Sequence, residues 1–135
     1  MSREIKFRAW DKDNKNMWFW HKFEALFVHS QSGTMRFENF YNKENIELMQ
    51  FTGLKDKNGV EIYEGDIVQL ETGKNLTQTA SVEWVEGAFL LRNKEGYHGY
   101  WGLNSKMIHA CGYKVIGNIY ENPEFLTKKK LRSEL

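Results

Sequence analysis

Leu48-Met-Gln-Phe-Thr-Gly-Leu-Lys-Asp-Lys-Asn-Gly-Val-Glu-Ile-Tyr-Glu-Gly-Asp-Ile-Val68 reads as strand, tight turn, strand. Asn58-Gly59 is the hairpin signal in it, because a type I′ turn needs positive φ at both central residues and Asn-Gly tolerates that best. Gly53 and Gly65 bracket the hairpin, where a bulge or a sharp bend costs little for a residue without Cβ. The chain on either side is organised around this reversal.

Towards the C-terminus, Asp66-Ile-Val-Gln-Leu-Glu71 continues as a strand, and residues 72–78 read as an exposed polar loop around Gly73. Ala80-Ser-Val-Glu-Trp-Val85 and Ala88-Phe-Leu-Leu91 flank a short reversal at Glu86-Gly87. Residues 93–105 carry Gly96, Gly99 and Gly102 among Tyr97, His98, Tyr100 and Trp101, with no clear period. Tyr113-Lys-Val-Ile-Gly-Asn-Ile-Tyr120 is a closing strand broken by Gly117 and ended by Pro123, the only proline.

Towards the N-terminus, Ile5-Lys-Phe-Arg-Ala-Trp10 alternates with the period of a strand, with Ile5, Phe7 and Ala9 on one face. The turn-forming cluster Asp11-Lys-Asp-Asn-Lys-Asn16 leads into Met17-Trp-Phe-Trp20, so residues 3–20 form a first hairpin. Residues 23–29 fit a strand or a short helical turn, Ser30-Gln-Ser-Gly33 is a turn, and Thr34-Met-Arg-Phe-Glu-Asn-Phe40 alternates again. Polar Tyr41-Asn-Lys-Glu-Asn45 is the junction before the central hairpin. Many short strands without intervening helices indicate an all-β protein. The reading is an N-terminal β subdomain over residues 1–45, packed on an SH3-like barrel over residues 46–126, with a charged tail at 127–135.

A chain of 135 residues with 41% hydrophobic and 15% aromatic content can bury a core. Its formal charge of +1 argues against a surface built wholly as a phosphate trap. One cysteine, Cys111, cannot close an intramolecular disulfide, which fits a reducing compartment. No apolar run is long enough to span a bilayer and the N-terminus lacks a signal-peptide core, so a cytoplasmic protein is expected.

Four stretches carry a family resemblance: Ile5-Lys-Phe-Arg-Ala-Trp-Asp-Lys12, Met49-Gln-Phe-Thr-Gly-Leu-Lys-Asp-Lys-Asn-Gly59, Glu61-Ile-Tyr-Glu-Gly-Asp-Ile-Val68 and Val115-Ile-Gly-Asn-Ile-Tyr-Glu-Asn-Pro123. They resemble the YopX family of phage and prophage proteins. The resemblance implies cytoplasmic location in a bacterial host, an all-β fold with a C-terminal SH3-like barrel, and oligomeric assembly. It brings no established activity and no catalytic residues.

Candidate chemistry is sparse. Asp11-Lys-Asp-Asn-Lys-Asn16 opens like a calcium loop, but the sixth and twelfth positions, which require Gly and Glu, hold Asn16 and Lys22. His98, His109 and Cys111 lack the paired spacing of a zinc site, and Cys111 reads as a small buried hydrophobe. Glu64 and Glu86 sit beside turn glycines, and Asp66 opens a strand where it can accept backbone N–H bonds; Glu61 and Glu83 have no legible catalytic partner. The sequence thus indicates a protein that is not an enzyme, with no cofactor and no metal. Trp18, Trp20, Tyr97, Tyr100 and Trp101 exceed what one small core holds and form the expected interaction surface, serving self-association first. The alternative is nucleic-acid binding, with bases stacked on these rings and Arg8, Lys22, Arg92 and Lys94 on phosphates. The basic run Lys128-Lys-Lys-Leu-Arg132 reads as a solvated end.

Overall fold

The computed structural model describes residues 4–21, 24–93 and 100–127. It is nearly all β and antiparallel throughout, as expected. The chain divides into two units, residues 1–51 and 52–135. The division falls later than the junction at residues 41–45, because residues 46–50 belong to a strand that pairs back onto the first one.

In the first unit β1 (Phe7–Asp11) and β2 (Asn16–His21) form the hairpin read from the sequence, with Ala9 opposite Trp18. β3 (Glu24–Ser30) and β4 (Gly33–Arg36) extend the sheet beyond β2, and β5 (Ile46–Lys55) flanks β1 on its other side. The segment read as alternating strand over 34–40 turns helical after Arg36, giving α1 (Phe37–Tyr41). Phe37 and Phe40, three apart, fall on one face of that turn and reach the sheet, which no extended chain would allow. Ala9, Trp18, Val28 and Phe40 are the buried centre, with Trp20, Met35, Phe37 and Ile46 packed around them.

In the second unit the end of β5 leads into β6 (Glu61–Tyr63), where Thr52 Oγ1 donates to the Ile62 carbonyl at 2.7 Å. The connection between them is not a type I′ turn. Gly59 alone takes positive φ, at 85°, and Asn58 does not. Asp56 organises the reversal instead. Its Oδ1 accepts the N–H groups of Asn58 at 2.8 Å and Val60 at 2.9 Å, while the Gly59 N–H donates to the Asp56 carbonyl at 3.0 Å. An aspartate capping its own turn with glycine in the left-handed position is the longer-loop solution to a hairpin.

β7 (Asp66–Gly73), β8 (Leu76–Val85), β9 (Ala88–Arg92), β10 (Tyr100–Gly102) and β11 (Lys114–Asn118) form a five-stranded sheet in the order β10-β9-β8-β7-β11. The loop expected at 72–78 is only the turn Lys74-Asn75, because both strands run on into it. Positive φ at both central residues, the mark of a type I′ turn, occurs at Glu86-Gly87, with φ of 47° and 91°. A helix absent from the sequence reading, α2 (Ser105–Ala110), is capped by Asn104, whose Oδ1 accepts the Met107 N–H at 2.9 Å. Ile62, Val68, Leu70, Ala80, Val82, Leu91, Ile108 and Tyr113 make the core.

Among the described residues this sheet is open, with β10 and β11 unjoined at its ends, so no closed barrel is formed. The strands at sheet ends are short: four residues in β4, three in β6, three in β10 and five in β11. Gly117 marks the expected break in the closing strand, where the register shifts between Val115 and Gly117. A Cβ there would come within 2.8 Å of Asn122 Cγ, in a side chain whose Oδ1 accepts the Asn118 N–H at 3.2 Å.

Candidate functional site

Two aromatic groupings are candidates, one in each unit. In the first unit, a groove of about 520 Å³ lies between α1 and the sheet. Trp20, Phe37 and Phe40 form its aromatic wall, with ring centroids 5.4 Å apart for Trp20–Phe37 and 5.7 Å for Trp20–Phe40. Ile46 and Leu48 from β5 complete the apolar lining, and Leu48 is 56% exposed at the rim. Ile46 and Leu48 share a face because strand side chains alternate.

Lys43 and Asn45 supply the groove's polar lining. The Lys43 ammonium lies 3.5 Å from Oδ2 of Asp11, whose side chain is fully buried. Asp11 is the head of the first hairpin turn and accepts the N–H groups of Asp13 and Asn14 at 3.1 and 3.2 Å and the Asn14 amide at 3.0 Å. Burial alone would raise its carboxyl, but the Asn14 hydrogen bonds and the Lys43 charge together hold it below the ordinary value. The six-residue stretch read against a calcium loop is therefore a turn closed by its own first residue.

In the second unit, Trp84 and Phe89 face each other across β8 and β9 in a T-shaped pair with centroids 4.9 Å apart. Trp84 is 55% exposed. On the opposite face Arg92 lies over the Tyr100 ring at 5.9 Å and pairs with Glu83 at 3.5 Å, while the Ser81 hydroxyl donates to Glu83 at 3.3 Å.

Of the residues expected at the interaction surface, Trp18 and Trp20 belong to the first unit and Tyr100 and Trp101 to the second. Trp18 is 4% exposed in the first unit's core, so it is no surface residue; it points to the same face as Ala9 and Val28, which the helix covers. Trp20 lines the groove, Tyr100 is 42% exposed, and Trp101 packs half-buried on the second core. Tyr97, His98, Lys22 and Lys94 lie outside the described residues. Of the two described cations named for phosphate contact, Arg8 is buried and Arg92 is exposed. His109 is exposed, Cys111 is half-buried against the second core, and Asp66 accepts the Tyr63 N–H at 2.7 Å as a strand-entry residue should. No group of three or more His, Cys, Asp or Glu among the described residues is placed to hold a metal ion.

Trp84, Phe89, Phe37, Phe40 and Lys43 were missed. A two-residue turn at 86–87 already makes 84 and 89 partners by counting, so the pair was within reach; the groove depended on a helix that the alternation concealed.

Tyr113 donates its phenolic O–H to the Gly102 carbonyl at 2.7 Å. Burial, aided by the nearby Cys111, pushes its pKa up from 10.0 to about 12. The folded state thus favours the neutral phenol: the stability linked to it is complete below pH 10 and is lost as pH rises towards 12. Phenolate absorbance should show one tyrosine ionising late in the native protein, and that late step should vanish in Tyr113→Phe.

The sequence profile of the family described as YopX protein matches residues 6–127. The chain belongs to the YopX family. This YopX-family chain is similar to protein EF1440 from Enterococcus faecalis, known from a crystal structure. The two are 30% identical, with 93% of this chain and 99% of that one covered and a TM-score of 0.61. Protein yopX from Bacillus subtilis, also known from an X-ray crystal structure, is 19% identical over 93% of this chain and 97% of its own, with a TM-score of 0.49. No curated protein matches this YopX-family sequence. No helix among its described residues is long and apolar enough to cross a membrane.

Proposed function

We propose that this YopX-family protein is a non-catalytic interaction module that associates with copies of itself through exposed aromatic side chains of its second unit. The observation that carries this reading is the Trp84–Phe89 pair: a large ring more than half exposed, yet held edge-to-face on paired strands. A tryptophan fixed before contact loses little side-chain freedom on binding, and rigid aromatic anchors dominate interface energies. We read this unit, with its five antiparallel strands, as an open relative of an SH3-like barrel. Family membership supports a phage or prophage origin and residence in the cytoplasm of a bacterial host.

Sedimentation at micromolar concentration tests the proposal. The wild type should sediment as a multiple of 16.0 kDa. Trp84→Ser should shift towards the monomer while its thermal midpoint stays close to that of the wild type. A wild type found only at 16.0 kDa overturns the reading.

Nucleic-acid binding is the second reading, favoured by Arg92 stacked over exposed Tyr100. Glu83 already engages that arginine and the net charge is +1, so little general attraction to phosphates is available.

A further inference from the structure

We infer that the groove of the first unit is a binding site for a small aromatic carboxylate. Its volume of about 520 Å³ falls within the range of small-molecule sites, which is about 300–1,000 Å³. Its wall offers the half-buried rings of Trp20 and Phe37 over buried Phe40, and a ligand ring placed against them can take the edge-to-face geometry that Trp20 already adopts with Phe40.

Charge complementarity selects the anion. Among the described residues of the lining, Lys43 is the one ionisable side chain, and it is cationic. An ammonium carries three donors, of which the Asp11 contact takes one. Asp11 is fully buried and already accepts three hydrogen bonds from its own turn, so it steadies the ammonium without presenting a carboxylate to the groove. A ligand carboxylate would therefore meet a cation held in place, next to an apolar wall that lowers the local polarity and strengthens the pairing. Asn45 completes the polar lining. It stands exposed at φ 60°, its backbone carbonyl accepts the Lys12 N–H at 3.0 Å, and its side-chain amide donates to Asp13 at 3.1 Å. Such a mixture of apolar wall and a few fixed polar groups is the usual make-up of a ligand pocket.

Calorimetric titration with 3-phenylpropionate, 3-phenylpropan-1-ol and 3-phenylpropylamine tests this on the full chain. The acid should bind about tenfold more tightly than the alcohol, with the amine weakest, as one charge-assisted contact predicts. Lys43→Met should bring the acid down to the alcohol's affinity, and Lys43→Arg should restore it. Leu48→Ala, at the exposed rim, should weaken acid and alcohol alike by about threefold, the loss expected for a few buried methyl groups. Absence of binding by all three probes overturns the proposal, as does an amine that binds as well as the acid. An acid preference that survives Lys43→Met does the same. Should Lys43→Met fail to fold, the acid-to-alcohol ratio in the wild type and the Leu48→Ala series still decide.

Discussion

Asp56→Ala is expected to lower the chain's unfolding free energy by about 2–4 kcal/mol, because three backbone donors share one charged acceptor and each such bond is worth more than a neutral one. The carboxylate is 5% exposed. One oxygen closes the turn through Asn58 and Val60, and the other accepts the Val115 N–H of β11 at 2.8 Å. The Lys57 N–H adds a bond to the Tyr113 carbonyl at 3.0 Å, so the turn and the closing strand are tied at two points. Alanine releases both ends at once. Asp56→Asn keeps one carbonyl oxygen for the turn but presents an NH2 to the Val115 donor, and should cost less than alanine does. Urea unfolding of the two variants gives the ranking. A loss below about 1 kcal/mol for alanine would mean that water replaces the carboxylate at all three donors.

The second large effect belongs to Trp18. Its ring is buried beside Phe40 at a centroid distance of 5.8 Å, among Ala9 and Val28. Trp18→Ala removes a buried indole from the first unit's core and leaves a cavity that five strands and a short helix cannot fill by small shifts. The expected loss is about 3–5 kcal/mol in thermal or urea unfolding. Trp84→Ala, by contrast, removes an exposed ring and should change stability by less than about 1 kcal/mol. Equal losses at the two positions would show that exposure in the folded chain does not separate core from surface tryptophans here.

Trp18 also shows what was legible and what was not. The two hairpins, the antiparallel all-β class and the family could be read from alternation, turn residues and motif. The face of a tryptophan could not: Trp18 and Trp20 are two apart and share a side, and only the position of α1 decides that one is covered and the other lines a groove. α1 was hidden because Met35 and Phe37 fit a period of two as well as Phe37 and Phe40 fit a helical turn. Asn58-Gly59 gave the right reversal by the wrong turn, since Asp56 supplies through its side chain what positive φ at Asn58 would have supplied. The Glu86-Gly87 reversal, read only as short, has the type I′ geometry, although glutamate is seldom chosen for a positive φ. The Asn104 cap was visible in principle, but six helical residues give too little periodicity to recognise.

The brevity of the outermost strands bears on how copies of this protein can meet. A rim of three to five residues offers too few free amide and carbonyl groups to template another chain, which is how fibrils start. Under the proposed self-association, contact between molecules would be left to side chains such as Trp84, whose geometry saturates once its counterpart is met. Crowded solutions should accordingly yield discrete, soluble particles and no thioflavin-positive threads.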